Sequence, residues 1–160
     1  MNDENGSLSI RGWVRDDAVQ LRPMVAAFLA AGLNRGGDLL PTARSVEHLI
    51  MLGLAFAAAG DPSYVAVDAA GTLLGYIEWG QLALPMDQRW RTCHTFGSFV
   101  IPPARHMGIA RRLRYAARDR CLDLGIERVI GPVHLMNTDG LKEFIQQGAW
   151  PTSMQMEVLL

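Results

Sequence analysis

The stretch FVIPPARHMGIARRLR, residues 99–114, constrains this chain more than any other. An apolar, strand-like run meets two prolines, passes a basic residue and a glycine, and becomes an arginine-rich helical pattern. Pro102 and Pro103 carry no backbone N–H, so a sheet ladder that reaches Ile101 has to stop there. Residues Arg105 to Ala110 then enter a helix with Gly108 and the small Ala110 at the turn, so that several unpaired N–H groups converge where the helix dipole favours an anion. Gly108 lets a ligand approach the backbone closely, and Arg105, Arg111 and Arg112 add forked cationic donors that suit phosphate. The pattern predicts a cradle able to take a pyrophosphate; the plainer alternative is an ordinary glycine-containing helix start.

The rest of the chain sets the frame for that turn. At 160 residues, 49% hydrophobic and 19% charged, the sequence fits one globular domain over 1–160 with a sizeable core. Fifteen Lys and Arg against sixteen Asp and Glu give a net charge of -1, which argues against a general attraction to nucleic acid. Cys93 and Cys121 are too few for a disulfide framework and lack metal-ligand spacing, which suits a reducing compartment and makes the cytoplasm the expected location. The polar, acidic start MNDENGSLSI lacks the basic opening and apolar run of a signal peptide. HLIMLGLAFAAAG, 48–60, is uncharged but far shorter than the ~20 residues of a membrane helix, and reads as a buried core helix.

Periodicity predicts a mixed α/β sheet packed by helices. A strand over 8–14 leads to a helix capped by Asp16 or Asp17 and running toward Leu33, with Pro23 kinking it or marking a later start. A loop over 33–41 and a helix over 43–59 follow, then SYVAVDA and TLLGYIEWGQLAL as an antiparallel hairpin turning at Ala70 and Gly71. A strand over 91–101 precedes a helix over 107–124 whose Ile109, Leu113, Ala117, Cys121 and Leu124 share one buried face. A strand over 127–135, a helix over 139–147 and a strand over 153–160 complete the order.

The pattern V-x-P-x-x-R-x-x-G-I-A, from Val100 through Pro102, Arg105, Gly108, Ile109 and Ala110, resembles the acyl-CoA signature of the GNAT N-acetyltransferase superfamily. N-x-x-G-x-x-x-F-x-x-x-G, at Asn137, Gly140, Phe144 and Gly148, resembles a later segment of the same family, and the element order resembles that fold over most of the chain. The resemblance implies a mostly antiparallel central sheet, splayed between the fourth and fifth strands and flanked by about four helices. It implies acetyl-CoA as co-substrate, its pantetheine lying in the splay against main-chain groups of Phe99, Val100 and Ile101, with the Val100 N–H polarising the thioester carbonyl as an oxyanion hole does. Arg105, His106, Met107, Gly108, Ile109, Ala110 and Arg111 would hold the pyrophosphate, and Asn137 and Phe144 belong to the later cofactor-binding segment. An acceptor amine would lose a proton and attack directly, with no metal required. The implied function is transfer of acetyl to a primary amine of a small molecule or peptide; the alternative is a non-catalytic acyl-CoA-binding module. A homodimer built on the apolar 48–60 helix is a third possibility.

Several residues keep two readings. His94, six residues before Val100, stands where several resembling members carry a catalytic Glu or His, and its ordinary pKa of about 6.5 suits a general base; it equally suits a plain sheet position. Glu78, in GYIEWG, is the rival: a base acting through water, a seat for a cationic acceptor, or a group on a solvated strand face. Asn137 is a helix N-cap, a cofactor contact, or both. Arg114, Arg118 and Arg120 read as a solvated helix face, and His48, His106 and His134 have no partner pattern. Cys93 and His94 are adjacent on a strand and point to opposite faces, which argues against a covalent Cys/His route. Phe144 stands where many similar proteins carry a tyrosine that protonates the departing thiolate; phenylalanine donates no proton, and its ring suits the helix's buried face. The resemblance implies that residues 33–42 and 83–90 shape the acceptor site.

Overall fold

The computed structural model describes residues 8–33, 40–82, 90–133, 136–146, 148, 149 and 151. Among them, five strands form one sheet in sequence order: β1 (Ser9–Gly12), β2 (Ser63–Val67), β3 (Leu73–Gly80), β4 (Thr92–Val100) and β5 (Arg128–Ile130). The pairs from β1 to β4 are antiparallel and β4 pairs with β5 in parallel, so the expected mixed, mostly antiparallel sheet is present. The expected strand over 153–160 lies outside the described residues, as do 34–39, most of 83–90, and His134.

Four helices are described: α1 (Ala18–Leu33), α2 (Ala43–Ala58), α3 (Ile109–Asp123) and α4 (Thr138–Gln146). One face of the sheet packs Val65, Val67, Leu73 and Tyr76 against Leu21, Val25 and Leu29 of α1 and Val46 and Ile50 of α2. The other face packs Ala66, Ile77, Trp79 and Cys93 against Ile109, Leu113, Ala117 and Cys121, the stripe that the helical period predicts for α3. β3 therefore has helices on both faces, and nearly all of it is buried.

Local chemistry explains most of the boundaries. The hairpin turns where predicted: Gly71 adopts φ 83°, and the Asp68 carboxylate accepts from the Ala70 and Thr72 amides at 2.9 and 2.8 Å. Gln20 of α1 ties down this turn, accepting from Leu73 N at 2.9 Å and donating to Gly71 O at 3.1 Å. α1 continues through Pro23, which deprives the Val19 carbonyl of its helical donor; Val19 is 71% exposed, so water is at hand for that group. Neither aspartate caps α1 as expected. A short 3-10 turn, Arg15–Asp17, comes first, and buried Asp17 turns back to accept from Val14 N at 2.8 Å and from both terminal nitrogens of Arg11 at 2.7 Å. β5 ends at Ile130 instead of 135, because Gly131 gives a flexible backbone and Pro132 has no N–H for the ladder.

Burial acts to raise the Asp17 carboxyl pKa, but the Arg11 hydrogen bonds, the Val14 N–H and the Arg11 charge outweigh it and hold the group below its ordinary value. A carboxyl depressed on folding contributes stability above its unfolded pKa and loses it as pH falls through the folded one. Asp17→Asn is expected to cost about 2 kcal/mol at pH 7 and to flatten the loss of stability below pH ~4, measured by urea unfolding across pH.

Candidate active site

The sheet opens on one side of β4. Its parallel ladder with β5 pairs Thr92 with Arg128, Cys93 with Val129 and His94 with Ile130, and goes no further. At the point of divergence Thr95 fills the space beside Gly131, where an added Cβ would overlap the threonine hydroxyl. On its other side β4 stays paired with β3 to the end, and past it, since Ile101 N donates to Leu74 O at 3.0 Å. Along an antiparallel strand the peptide groups alternate in direction, so if Ile101 faces β3, Val100 presents its N–H and C=O to the open side. The Val100 carbonyl accepts from Arg105 Nε at 3.1 Å, and its amide faces the splay.

The prolines do what their chemistry requires. Pro102–Ala104 form a short 3-10 turn, and the backbone then takes two left-handed positions, His106 at φ 65° and Gly108 at φ 76°. α3 starts at Ile109, two residues later than the periodicity predicts, with Gly108 as its N-cap. Arg112 N is bonded to Gly108 O at 3.0 Å, while Ile109, Ala110 and Arg111 have no carbonyl one helical turn ahead of them. A cleft of about 640 Å³ opens on this turn, walled by Val100, Arg105, His106, Met107, Gly108, Ile109, Ala110 and Arg111. Phe99 lies behind it on the α1/α2 face, its ring 5.7 Å from the Arg105 guanidinium.

The arginines of α3 divide differently from the sequence reading. Arg114, expected on a solvated face, is half-buried and lines the cleft, one turn from Arg111. Arg112, expected at the anion, reaches the other way to Leu8 O at 3.2 Å. Arg120 is not merely solvated: its Nε donates to Gly60 O at 2.8 Å and ties α3 to the turn before β2. Asn137 is an N-cap, its Oδ1 accepting from Gly140 N at 3.2 Å at the start of α4, and Phe144 is half-buried on that helix.

The two candidate bases share a face. Gly80 of β3 pairs with His94 and, two residues from Glu78, is directed at Phe56 of α2, so Glu78 and His94 both belong to the α1/α2 side of the sheet. Between them β4 bulges: Glu78 faces Gly97 and Trp79 faces Thr95, leaving Phe96 as the extra residue, its ring 5.0 Å from Phe56. His94 is half-buried, and its pKa is lowered by burial and by the Arg128 charge. Cys93 points to the α3 face and is fully buried, with Cys121 in the same apolar cluster, in keeping with the argument against a Cys/His nucleophile.

Glu78 is the main correction. It is 1% exposed instead of solvated, its Oε1 has no hydrogen-bond partner among the described residues, and burial pushes its pKa up to about 8. The sequence signal was the apolar company on both sides of GYIEWG, which marks a strand covered on both faces. A carboxyl raised on folding gives stability that is present at acid pH and is lost as pH climbs from its unfolded value near 4.5 through about 8. Glu78→Gln is therefore expected to remove a fall in stability on the order of a few kcal/mol between pH ~5 and ~8, read from Tm and urea midpoints; an unaltered slope would contradict the assignment.

The comparisons with known proteins agree with this fold. The sequence matches none of the curated proteins it was compared with. Among solved structures, a mutant of the BH1408 protein from Bacillus halodurans is similar with a TM-score of 0.76 at 18% identity, covering 95% of this chain and 99% of that one. A ribosomal-protein-alanine N-acetyltransferase from Brucella melitensis biovar Abortus is similar with a TM-score of 0.66 at 22% identity, over 96% and 99%. The aminoglycoside N-acetyltransferase AAC(6')-Iy in complex with CoA is similar with a TM-score of 0.65 at 17% identity, over 100% and 99%. The family model described as Acetyltransferase (GNAT) family matches residues 38–142, about two thirds of the sequence, and the chain belongs to that family.

Proposed function

We propose that this acetyltransferase, as a single domain over 1–160, moves an acetyl group from acetyl-CoA to a primary amine of a small molecule or a peptide amino group. One observation carries the reading: Val100, whose amide is turned outward, and the helix start from Ile109 to Arg111, with its unpaired amides, line one cleft. The donor amides and Arg105, Arg111 and Arg114 suit a pyrophosphate, and the open side of β4 at Val100 suits the amides of pantetheine; the main-chain groups of Phe99 and Ile101, expected there too, are turned toward β3, where Ile101 N donates to Leu74 O.

The acceptor arrives as an ammonium ion and loses one proton to His94, which passes it to solvent. The amine lone pair attacks the thioester carbon, forming the C–N bond, and the Val100 N–H stabilises the developing oxyanion. Collapse breaks the C–S bond, the thiolate leaves and takes up a proton, and the amide nitrogen releases its second one. A thiol with a pKa near 8.5 leaves without obligatory acid help, which fits a phenylalanine at 144. The same Phe144 is the one feature that favours the alternative, a module that binds acyl-CoA without turning it over. No described helix is long and apolar enough to cross a membrane, and the reduced pair Cys93 and Cys121 suits the cytoplasm.

Purified protein with acetyl-CoA and an amine panel is expected to release free thiol in proportion to acetylated amine; CoA binding without thiol release would favour the alternative. His94→Ala should lower kcat by about 10²-fold or more and abolish the acidic limb of the pH profile, with acetyl-CoA affinity unchanged. Gly108→Val should weaken CoA binding by at least about tenfold, through the left-handed φ and the space a side chain takes from the anion; equal affinity in a folded variant would contradict the cradle.

A further inference from the structure

Three carboxyls are buried among the described residues, and two are satisfied: Asp17 by Arg11, Asp61 by the backbone and side chain of Gln81. Glu78 is not. A second unpartnered polar atom, the indole Nε1 of Trp13, lies in the same layer. The two residues stand in one row across the sheet, since Trp13 N donates to Ser63 O at 3.3 Å and Ser63 is the register partner of Glu78. Unpaired polar atoms in an apolar layer are strongly disfavoured unless something else completes them, and two in one row mark a place for a polar group that the chain does not supply.

What surrounds Glu78 is aromatic. Trp13 and Phe28 both meet Tyr76 edge-on, at 5.4 and 6.3 Å, and Phe99 stacks on Tyr76 at 6.5 Å. Phe28, Phe96 and Phe99 are only half-buried, so this wall reaches the protein surface. Opposite Glu78 stands Gly97, whose missing side chain leaves the space that the Phe28 ring occupies, 3.2 Å from where a Cβ would be. The Phe28 ring thus lies over Gly97, beside Glu78, on the α1/α2 face.

We propose that Glu78 seats the ammonium group of the acceptor, and that the acceptor is a monoamine carried on an aromatic or bulky apolar body that lies against Phe28, Phe96 and Phe99. This rests on the acetyl-transfer reading and narrows its substrate. A single carboxylate neutralises a single cation, and ring faces favour both that cation and an apolar body. A second ammonium on the same molecule would be buried among rings with no anion to meet it, so polyamines and polycationic amino sugars are excluded. His94, on the same face beyond the Phe96 bulge, takes the ammonium proton before attack.

The test uses the full chain with acetyl-CoA and follows thiol release with phenethylamine and tryptamine against spermidine and kanamycin. The aromatic monoamines should exceed the polycations at least about tenfold in kcat/KM, and Glu78→Gln should raise the KM for phenethylamine at least about tenfold while acetyl-CoA affinity stays the same. Calorimetry on the CoA-loaded protein gives a readout free of turnover: phenethylamine should bind more tightly than phenethyl alcohol, and Glu78→Gln should erase that difference. Should Glu78→Gln fail to fold, Phe96→Ala should remove the preference for aromatic amines. A polycation preferred by the wild type, or phenethylamine bound equally by wild type and Glu78→Gln, would overturn the proposal. If no amine releases thiol, the acetyl-transfer reading fails, and the amine-against-alcohol comparison still decides the seat.

Discussion

Among the described residues, β4 beyond His94 has a hydrogen-bonded neighbour on one side only, and the rest of the site depends on that loss of pairing. Two proline stops produce it. Pro132, with Gly131 before it, ends β5 after three residues, so β5 does not carry the ladder along β4 past His94. Pro102 and Pro103 end β4 itself and send the chain through the left-handed His106 and Gly108 into α3. The peptide groups left unpaired by the first stop and the helix-start amides exposed by the second face one cleft. Backbone groups with nowhere to pair are costly in a core and useful at an opening, where a ligand can complete them.

Glu78 shows the opposite economy. A carboxyl buried on the central β3, under two helices, works against folding at neutral pH, and neither strand propensity nor packing accounts for it. Groups whose protonation is shifted by burial concentrate where binding or proton transfer is performed. Here the shift coincides with a bulge in the facing strand, a glycine opposite and a layer of rings, all next to the splay.

Much of this was legible in the sequence because it follows from local rules. Two prolines stop a ladder wherever they occur, the stripe Ile109, Leu113, Ala117 and Cys121 has the helical period, and Asp68 with Gly71 closes a hairpin. Pro132 is equally visible, but the apolar run through 127–135 has the pattern of a longer strand than the three residues that pair. Arg114 was misplaced because a run of arginines looks solvated, although its spacing of three from Arg111 puts both on one helical face. The burial of Glu78, the Phe96 bulge and the turning of Arg112 toward Leu8 depend on which elements meet in space, and no local pattern carries that.

The central claim is that CoA lies along the open edge of β4 and over the start of α3. Residue-resolved amide hydrogen exchange, with and without CoA, tests it most directly. Slowed exchange is expected at Val100 and at Ile109, Ala110 and Arg111, while Ile101, already bonded to Leu74, and the surface hollow around Thr42, His48 and Met51 stay unchanged. Protection at that hollow, or CoA binding with no change at Val100 and Ile109, would contradict it.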